Sequence, residues 1–301
     1  MLTIVRREPR ILGYDRSRWS LEGLQQVVEW LSGLSVSGVW RLLRRLGIHY
    51  KQARSYIHSP DPDYEAKLAR IQDYIRLAKA KPEKYVVLFQ DELTYYRQPS
   101  EAKAYEAVGK AQPQARRSPH KNSQRRIAAA MEIFTGKVVY MQKSRIGVDE
   151  LVAFYEKVVE AFPDRTIYMV QDNWPVHFHA DVLAALEPQT FEWPLRVPWN
   201  WPKEPSSRAR HLNLPIRLVM LPTYASWANP IEKLWRWLKQ DVLHLHAYAE
   251  KWTKLWQRVD EFLDKYAEGS ADLLRYVGLT TNSALYGPAL SHVGPPPLLP
   301  D

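Results

Sequence analysis

Between Ser20 and Gly47, apolar residues recur every three or four positions in two blocks. Leu21, Leu24, Val27, Val28 and Leu31 form the first, and Val36, Val39, Leu42, Leu43 and Leu46 the second. That period predicts two amphipathic helices. Ser20 and Ser35 stand at their capping positions, Gly33-Leu34-Ser35 breaks the chain between them, and Gly47 supplies a left-handed stop. A third stripe, Tyr64, Leu68, Ile71 and Ile75, predicts a helix to about Ala80, with Asp61 as cap and Pro62 in the first turn. It reads as a connector over 61–84.

From Tyr85 the period changes. Tyr85 to Gln90 is a continuous apolar run of strand length ending at Asp91-Glu92. Ile127 to Phe134 and Lys137 to Gln142 read as a hairpin turning at Thr135-Gly136. Asp149 to Phe162 follows as an amphipathic helix, then a buried strand from Thr166 to Val170 and a helix from His177 to about Leu186. A last strand, Ile216 to Leu221, precedes a long helix beginning at Asn229. Hairpin strands followed by strand–helix alternation predict an α/β fold: a mixed sheet with helices on both faces, behind an all-α region. The expected division is 1–60, a helix-turn-helix; 61–84, the connector; 85–279, the α/β domain; and 280–301, a Pro-rich tail. Residues 187–215 interrupt the rhythm with six prolines and with Trp193, Trp199 and Trp201. They read as an insertion without regular structure.

Charge adds a partner. The chain of 301 residues has 42 Lys and Arg against 33 Asp and Glu, a net charge of +9. Residues 1–60 and 97–126 each carry +6, so the rest is close to neutral. Two basic zones favour a polyanion such as nucleic acid over scattered surface charge. The second predicted helix presents Ser37, Arg41, Arg44 and Arg45, followed by Lys51 and Arg54. This arrangement suits a recognition helix that meets phosphates and base edges of double-stranded DNA. A small helical bundle with a basic surface is the alternative. No apolar run is long enough to span a membrane. The absence of cysteine excludes disulfides and thiolate chemistry, and the chain reads as cytoplasmic. Gly109-Lys110 lacks the spacing of a phosphate loop, so no ATP dependence is expected.

Three acids hold corresponding positions: Asp91 after the first strand, Asp172 after a later one, and Glu232 in the first turn of the helix after the last. Ligands of open α/β sheets gather beyond the carboxyl ends of the strands. Three hard oxygen donors there suit Mg²⁺, with Mn²⁺ as a substitute, and phosphodiester chemistry. The alternatives are turn residues for the two aspartates, and a capping box at Asn229-Pro230-Ile231-Glu232. His177, His179, His244 and His246 read as packing or hydrogen-bonding side chains, with His177 near enough to support Asp172.

The words around these acids resemble the DDE transposases of the mariner superfamily, in its bacterial insertion-sequence branch. They are Gln90-Asp91-Glu92, Gln171-Asp172-Asn173-Trp174-Pro175-Val176-His177, and Leu221 to Ala225 running into Asn229 to Trp235. With Gly13-Tyr14 and Trp19-Ser20-Leu21, the resemblance covers most of 13–265. It implies a ribonuclease-H-like catalytic domain whose metal ligands are Asp91, Asp172 and Glu232. It implies cleavage at terminal inverted repeats, joining to target DNA at a TA step, and a homodimer on DNA, associated with the nucleoid. Arg116, Arg117, Lys121, Arg125 and Arg126 fall where relatives carry a loop that clamps DNA and the partner subunit. Two features depart from the pattern. Asp172 and Glu232 are 60 positions apart, and one helix-turn-helix precedes the catalytic domain where relatives commonly carry two. A truncated or non-catalytic DNA-binding derivative, and a structure-directed nuclease, are the competing readings.

Overall fold

In the computed structural model, residues 1–51 and 59–279 are described. Arg54 and the Pro-rich tail lie outside them. The chain divides into two compact units, Met1–Tyr56 and Ile57–Asp301.

The first unit comprises α1 (Leu2–Arg6), α2 (Leu21–Val27) and α3 (Val36–Arg45), with 3-10 turns at Pro9–Leu12 and Glu29–Leu31. Both expected caps form: Ser20 Oγ accepts from the Gly23 amide at 3.0 Å, and Ser35 Oγ from Gly38 at 3.1 Å. Leu24, Val28, Leu31, Val39 and Leu43 make a small core. Leu46, expected inside, is 51% exposed. Gly47 turns the chain at φ 72°, the Ile48 amide bonds back to Leu43 O, and Ile48 packs on the core in its place.

The second unit begins with α4 (Tyr64–Ala80) and contains β1 (Tyr85–Tyr96), β2 (Gln124–Glu132), β3 (Val138–Lys143), α5 (Val148–Ala161), β4 (Thr166–Gln171), α6 (Ala180–Ala184), β5 (Ile216–Met220), α7 (Ile231–Leu238), α8 (Trp252–Asp264) and α9 (Ala271–Val277). The sheet order is β3-β2-β1-β4-β5. The β1–β2 and β2–β3 pairs are antiparallel, and β1–β4 and β4–β5 are parallel. Leu151, Phe154, Tyr155 and Val158 of α5 cover one face over Val86, Leu88, Ile167 and Met169. The other face is shared. Leu68, Ile71 and Ile75 of α4 sit over Val87, Phe89 and Val170, and α7, α8 and α9 sit over Leu93, Tyr95, Ala129 and Met131. Among the described residues no helix is long and apolar enough to cross a membrane.

Several expectations are corrected. The first strand does not end at Gln90. Its parallel pairing with β4 covers only Tyr85 to Phe89, while its antiparallel pairing with β2 carries it to Tyr96. Asp91 therefore lies inside a strand, where the neighbour on one side has ended. The helix expected over 177–186 is a 3-10 turn at Pro175–Phe178 followed by α6. The long helix after Asn229 is eight residues of α7 running into a π turn at Lys239–Leu243. The hairpin turns as expected at Gly136, where φ is 72° and a Cβ would meet Ser270 O at 2.7 Å.

The helix read as a connector is a wall of the sheet, and Asp61 does not cap it. Asp61 is buried. Its Oδ2 accepts from Lys67 Nζ at 2.7 Å and from the Thr223 amide at 2.7 Å, while Ser59 Oγ donates to Thr223 O at 2.6 Å. Burial alone would raise the Asp61 carboxyl; the Lys67 ammonium and the Thr223 and Asp63 amides outweigh it and bring it down to about 2. Asp61→Asn leaves a buried ammonium unpaired and should cost roughly 3–5 kcal/mol. A carboxyl depressed on folding stabilises above its unfolded pKa and loses that contribution as pH falls toward 2. Urea unfolding at pH 7 should show the full loss, and near pH 2 the two proteins should converge. A gap under about 1 kcal/mol at neutral pH would contradict the clasp.

Candidate active site

Strand alternation sends neighbouring acids to opposite faces of the sheet. Asp91 follows Phe89 and precedes Leu93 on the face under α7, opposite Ala129 of β2. There the Trp235 indole N–H donates to Asp91 Oδ2 at 2.9 Å. Glu92 points to the α5 side. Asp172 lies one residue beyond β4, and its Oδ1 accepts the Trp174 amide at 2.9 Å, an Asx turn.

Glu232 stands in the first turn of α7. Asn229 makes its half of the expected capping box, its Oδ1 accepting from Ile231 N at 3.4 Å, but among the described residues no bond runs back from the Glu232 carboxylate to the Asn229 amide. Asn229 also ties α7 to the sheet: its Nδ2 donates to Gln90 O at 3.0 Å. On the other side, Asn173 Nδ2 donates to Leu221 O at 2.9 Å. The loop from β5 to α7 is thus fastened beside Asp91 at one end and beside Asp172 at the other.

The acids are linked in sequence, Asp172 acting on Glu232 and Glu232 on Asp91. Burial pushes the Asp91 carboxyl up to about 8, and the charges of Glu232 and Glu92 push the same way, against the Glu92 amide and the Trp235 donor. Glu232 is raised by burial and by Asp172, in part opposed by Lys239 and Arg236. Asp172 goes the other way. Burial would raise it, but the His177 imidazole, with Nε2 3.6 Å from Oδ1, and the Trp174 amide hold it below the usual range.

His177 explains the difference. Its ring is fully buried, with Nε2 3.6 Å from both Glu92 Oε1 and Asp172 Oδ1. The Tyr155 hydroxyl lies 3.3 Å from Nδ1 and donates to Gln171 Oε1 at 3.0 Å. Burial would lower the imidazole, but Glu92 and Asp172 overcome it and lift it to about 9. Ligand atoms of Glu92, Asp172 and His177 lie within 4.8 Å of one another, the group of this geometry found among the described residues. A protonated imidazole already balances that group. Among the described residues no buried cation of this kind balances Asp91, and Lys239 and Arg236 offset the rise of Glu232 only in part; these raised carboxyls and hard oxygen donors fit a divalent ion. Sequence reasoning passed over Glu92. It adjoins Asp91 in the motif, and only the continuation of β1 shows that it faces away.

The candidate DNA contacts divide. In the first unit Ser37, Arg41, Arg44, Arg45 and Lys51 are all exposed, with the Arg44 guanidinium 5.0 Å over Trp40. Between β1 and β2, Arg116, Arg117 and Lys121 are exposed, whereas Arg125 and Arg126 are half-buried. Arg125 stacks 4.0 Å over Trp256 and donates to Gln142 O at 3.2 Å. It braces α8 against the sheet as well as adding charge.

Residues 86–255 match the family described as DDE superfamily endonuclease. A protein of Shigella sonnei named as the insertion element IS630 uncharacterized 39 kDa protein is 24% identical over 264 residues, 87% of this chain and 68% of that one. Two solved structures share the fold with a TM-score of 0.54: the Mos1 transposase paired-end complex with left transposon end, at 14% identity, and the Mos1 mariner paired-end complex with Mn, at 16%. Each covers 90% of this chain and 74% of the other. The mixed five-stranded sheet is therefore the ribonuclease-H-like fold of those enzymes. The chain belongs to the DDE superfamily endonucleases.

A desolvated carboxyl facing like charges weakens the metal-free fold once it ionises. Its folded pKa is above its unfolded one, so the unfolded chain loses the proton first and stability falls as pH climbs from about 4 to about 8. Asp91→Asn should therefore raise the metal-free melting temperature at pH 8, with no gain near pH 4. Millimolar Mn²⁺ should raise the wild-type value and leave the variant nearly unmoved. A variant that melts below wild type at pH 8 would contradict the repulsion.

Proposed function

We propose that the chain is a transposase that binds the ends of its own element, cuts DNA strands there and joins the freed ends to a target. The observation that carries this reading is the buried Asp91 carboxyl raised further by Glu232, with Glu232 itself raised by burial and by Asp172, a set that suits a divalent cation, in a chain of the DDE superfamily endonucleases. Asp91, Asp172 and Glu232 would hold Mg²⁺, or Mn²⁺ in its place. A bound ion of this kind supplies activation of the attacking water or 3′-hydroxyl and neutralisation of the leaving oxygen of a phosphodiester.

The protein's own groups do the remainder. Trp235 fixes one oxygen of Asp91 by its indole N–H. Asn229 and Asn173 hold the loop that carries α7, so that Glu232 and Asp172 keep their separation when charged. His177, braced by Tyr155, carries a proton between Glu92 and Asp172 and keeps Asp172 ionised at neutral pH. Ser37, Arg41, Arg44, Arg45 and Lys51 would dock the duplex at the inverted repeats, with Arg116, Arg117 and Lys121 adding phosphate contacts near the catalytic unit. A homodimer would bring two ends together, and a TA step would favour target bending because it deforms easily. Such a protein works at the nucleoid.

The test is cleavage and joining of labelled DNA that carries the element's ends, in Mg²⁺. Wild type should cut and join. Asp172→Asn should lose at least about a hundredfold in cleavage, the scale of removing one preorganised charged group, while binding DNA as tightly. A wild-type protein that binds but never cuts, in Mg²⁺ or Mn²⁺, would overturn the catalytic reading and leave a DNA-binding derivative. Cutting without joining would leave a nuclease.

A further inference from the structure

The segment 187–215 is irregular in backbone but firmly held. At its start Glu192 pairs with Arg70 of α4 at 2.6 Å, and Phe191 packs edge-on against Phe178. In its middle the Trp201 ring lies 5.1 Å from His179. Toward its end, the Ser206 amide and hydroxyl bond Asp181 at 2.6 and 2.9 Å, and Arg210 clasps Glu156 through two bonds of 2.6 and 2.7 Å. These anchors lie on α4, α5 and the 175–184 segment that also carries His177.

Out of this fastened frame one aromatic side chain faces water. Trp199 is 95% exposed, on a turn closed by the Trp201 amide bonding to Pro198 O at 3.0 Å. Prolines 198, 202 and 205 limit the backbone around it. Arg196, Lys203 and Arg208, three, four and nine residues away in the sequence, are exposed on the same segment, and none has an acidic partner among the described residues. A single exposed aromatic is ordinary. An indole presented from an anchored segment that also carries three exposed cations is a different object. Ordering such a loop has already been offset by its anchors, so little further entropy is lost when the ring meets a flat partner. An indole face with neighbouring guanidinium and ammonium groups matches the demands of an unpaired nucleotide, a base to stack upon and a phosphate to neutralise.

We propose that Trp199 is a stacking platform for an unpaired base of the DNA that the carboxylate site acts on, with Arg196, Lys203 and Arg208 holding the adjoining phosphates. This rests on the reading of the chain as a DNA-cutting enzyme. The surface prefers single-stranded or frayed DNA to intact duplex, because a stacked and paired base offers no free face.

The experiment uses the full chain with an oligo-dT strand and a blunt duplex of equal length, followed by anisotropy and by tryptophan quenching. Trp199→Ala should weaken binding of the single strand roughly tenfold and Trp199→Phe much less, as stacking requires. Duplex affinity and melting temperature should stay unchanged, and the quench should shrink in both variants. Asp172→Asn should bind the strand like wild type, which separates this surface from the chemistry of the acids. Equal strand binding by wild type and Trp199→Ala would overturn the proposal. So would a variant whose only change is a weaker self-association in sedimentation, which would make the surface a contact between copies. If wild type binds neither DNA, the DNA-cutting reading falls with it.

Discussion

The second unit is organised around a repulsion. Asp91, Asp172 and Glu232 come from a strand interior, a strand end and a helix start, and burial with like charge opposes ionising Asp91 and Glu232. A chain without a reason to keep them together would let them part, since unpaired carboxylates in a desolvated site cost free energy. Here every route of escape is tied. The Trp235 indole holds Asp91, Asn229 holds α7 to the Gln90 carbonyl, and Asn173 holds the far end of the same loop to the end of β4. Behind them, Ser59 and Asp61 grip both the amide and the carbonyl of Thr223. Stability is given up at the acids and recovered in the frame around them, as at many functional sites.

The two faces of β1 divide the electrostatic work. On the α5 side, Glu92 faces a buried imidazole that also reaches Asp172, so that side carries its own positive charge. On the α7 side no cation among the described residues lies against Asp91, and Lys239 and Arg236 only temper Glu232. Asp172 stands between the two, stabilised as an anion from one side and repelling Glu232 on the other. A divalent ion thus suits one side, while the buried imidazole serves the other. That asymmetry argues that Glu92, Asp172 and His177, although close enough to chelate, form a support for Asp172.

Much of this was legible in the sequence because it was local. Ser20 and Ser35 announce their helices, Thr135-Gly136 its hairpin, and the apolar runs at 85–90, 166–170 and 216–221 their strands. The acids stand out because each follows such a run. What could not be read was set by partners distant in the chain. The stripe Leu68, Ile71 and Ile75 shows that a helix has an apolar face but not that the sheet is what it covers. Asp61 looks like a cap because Pro62 follows it, and only Lys67 and Thr223 reveal a buried clasp. Residues 91–96 lack an apolar run, yet antiparallel pairing with β2 keeps them in the strand. That pairing in turn separates Glu92 from Asp91. His177 was legible as a hydrogen-bonding side chain, but its second acidic neighbour was not.

The central claim is that the cation belongs with Asp91, Asp172 and Glu232 rather than with the histidine cluster. Anomalous diffraction from crystals of the protein grown with Mn²⁺ locates the ion directly. The account predicts density within ligand distance of Asp91 and of Asp172 or Glu232, with the His177 ring still turned between Glu92 and Asp172. Density coordinated by Glu92 and His177, with Asp91 uninvolved, would contradict it.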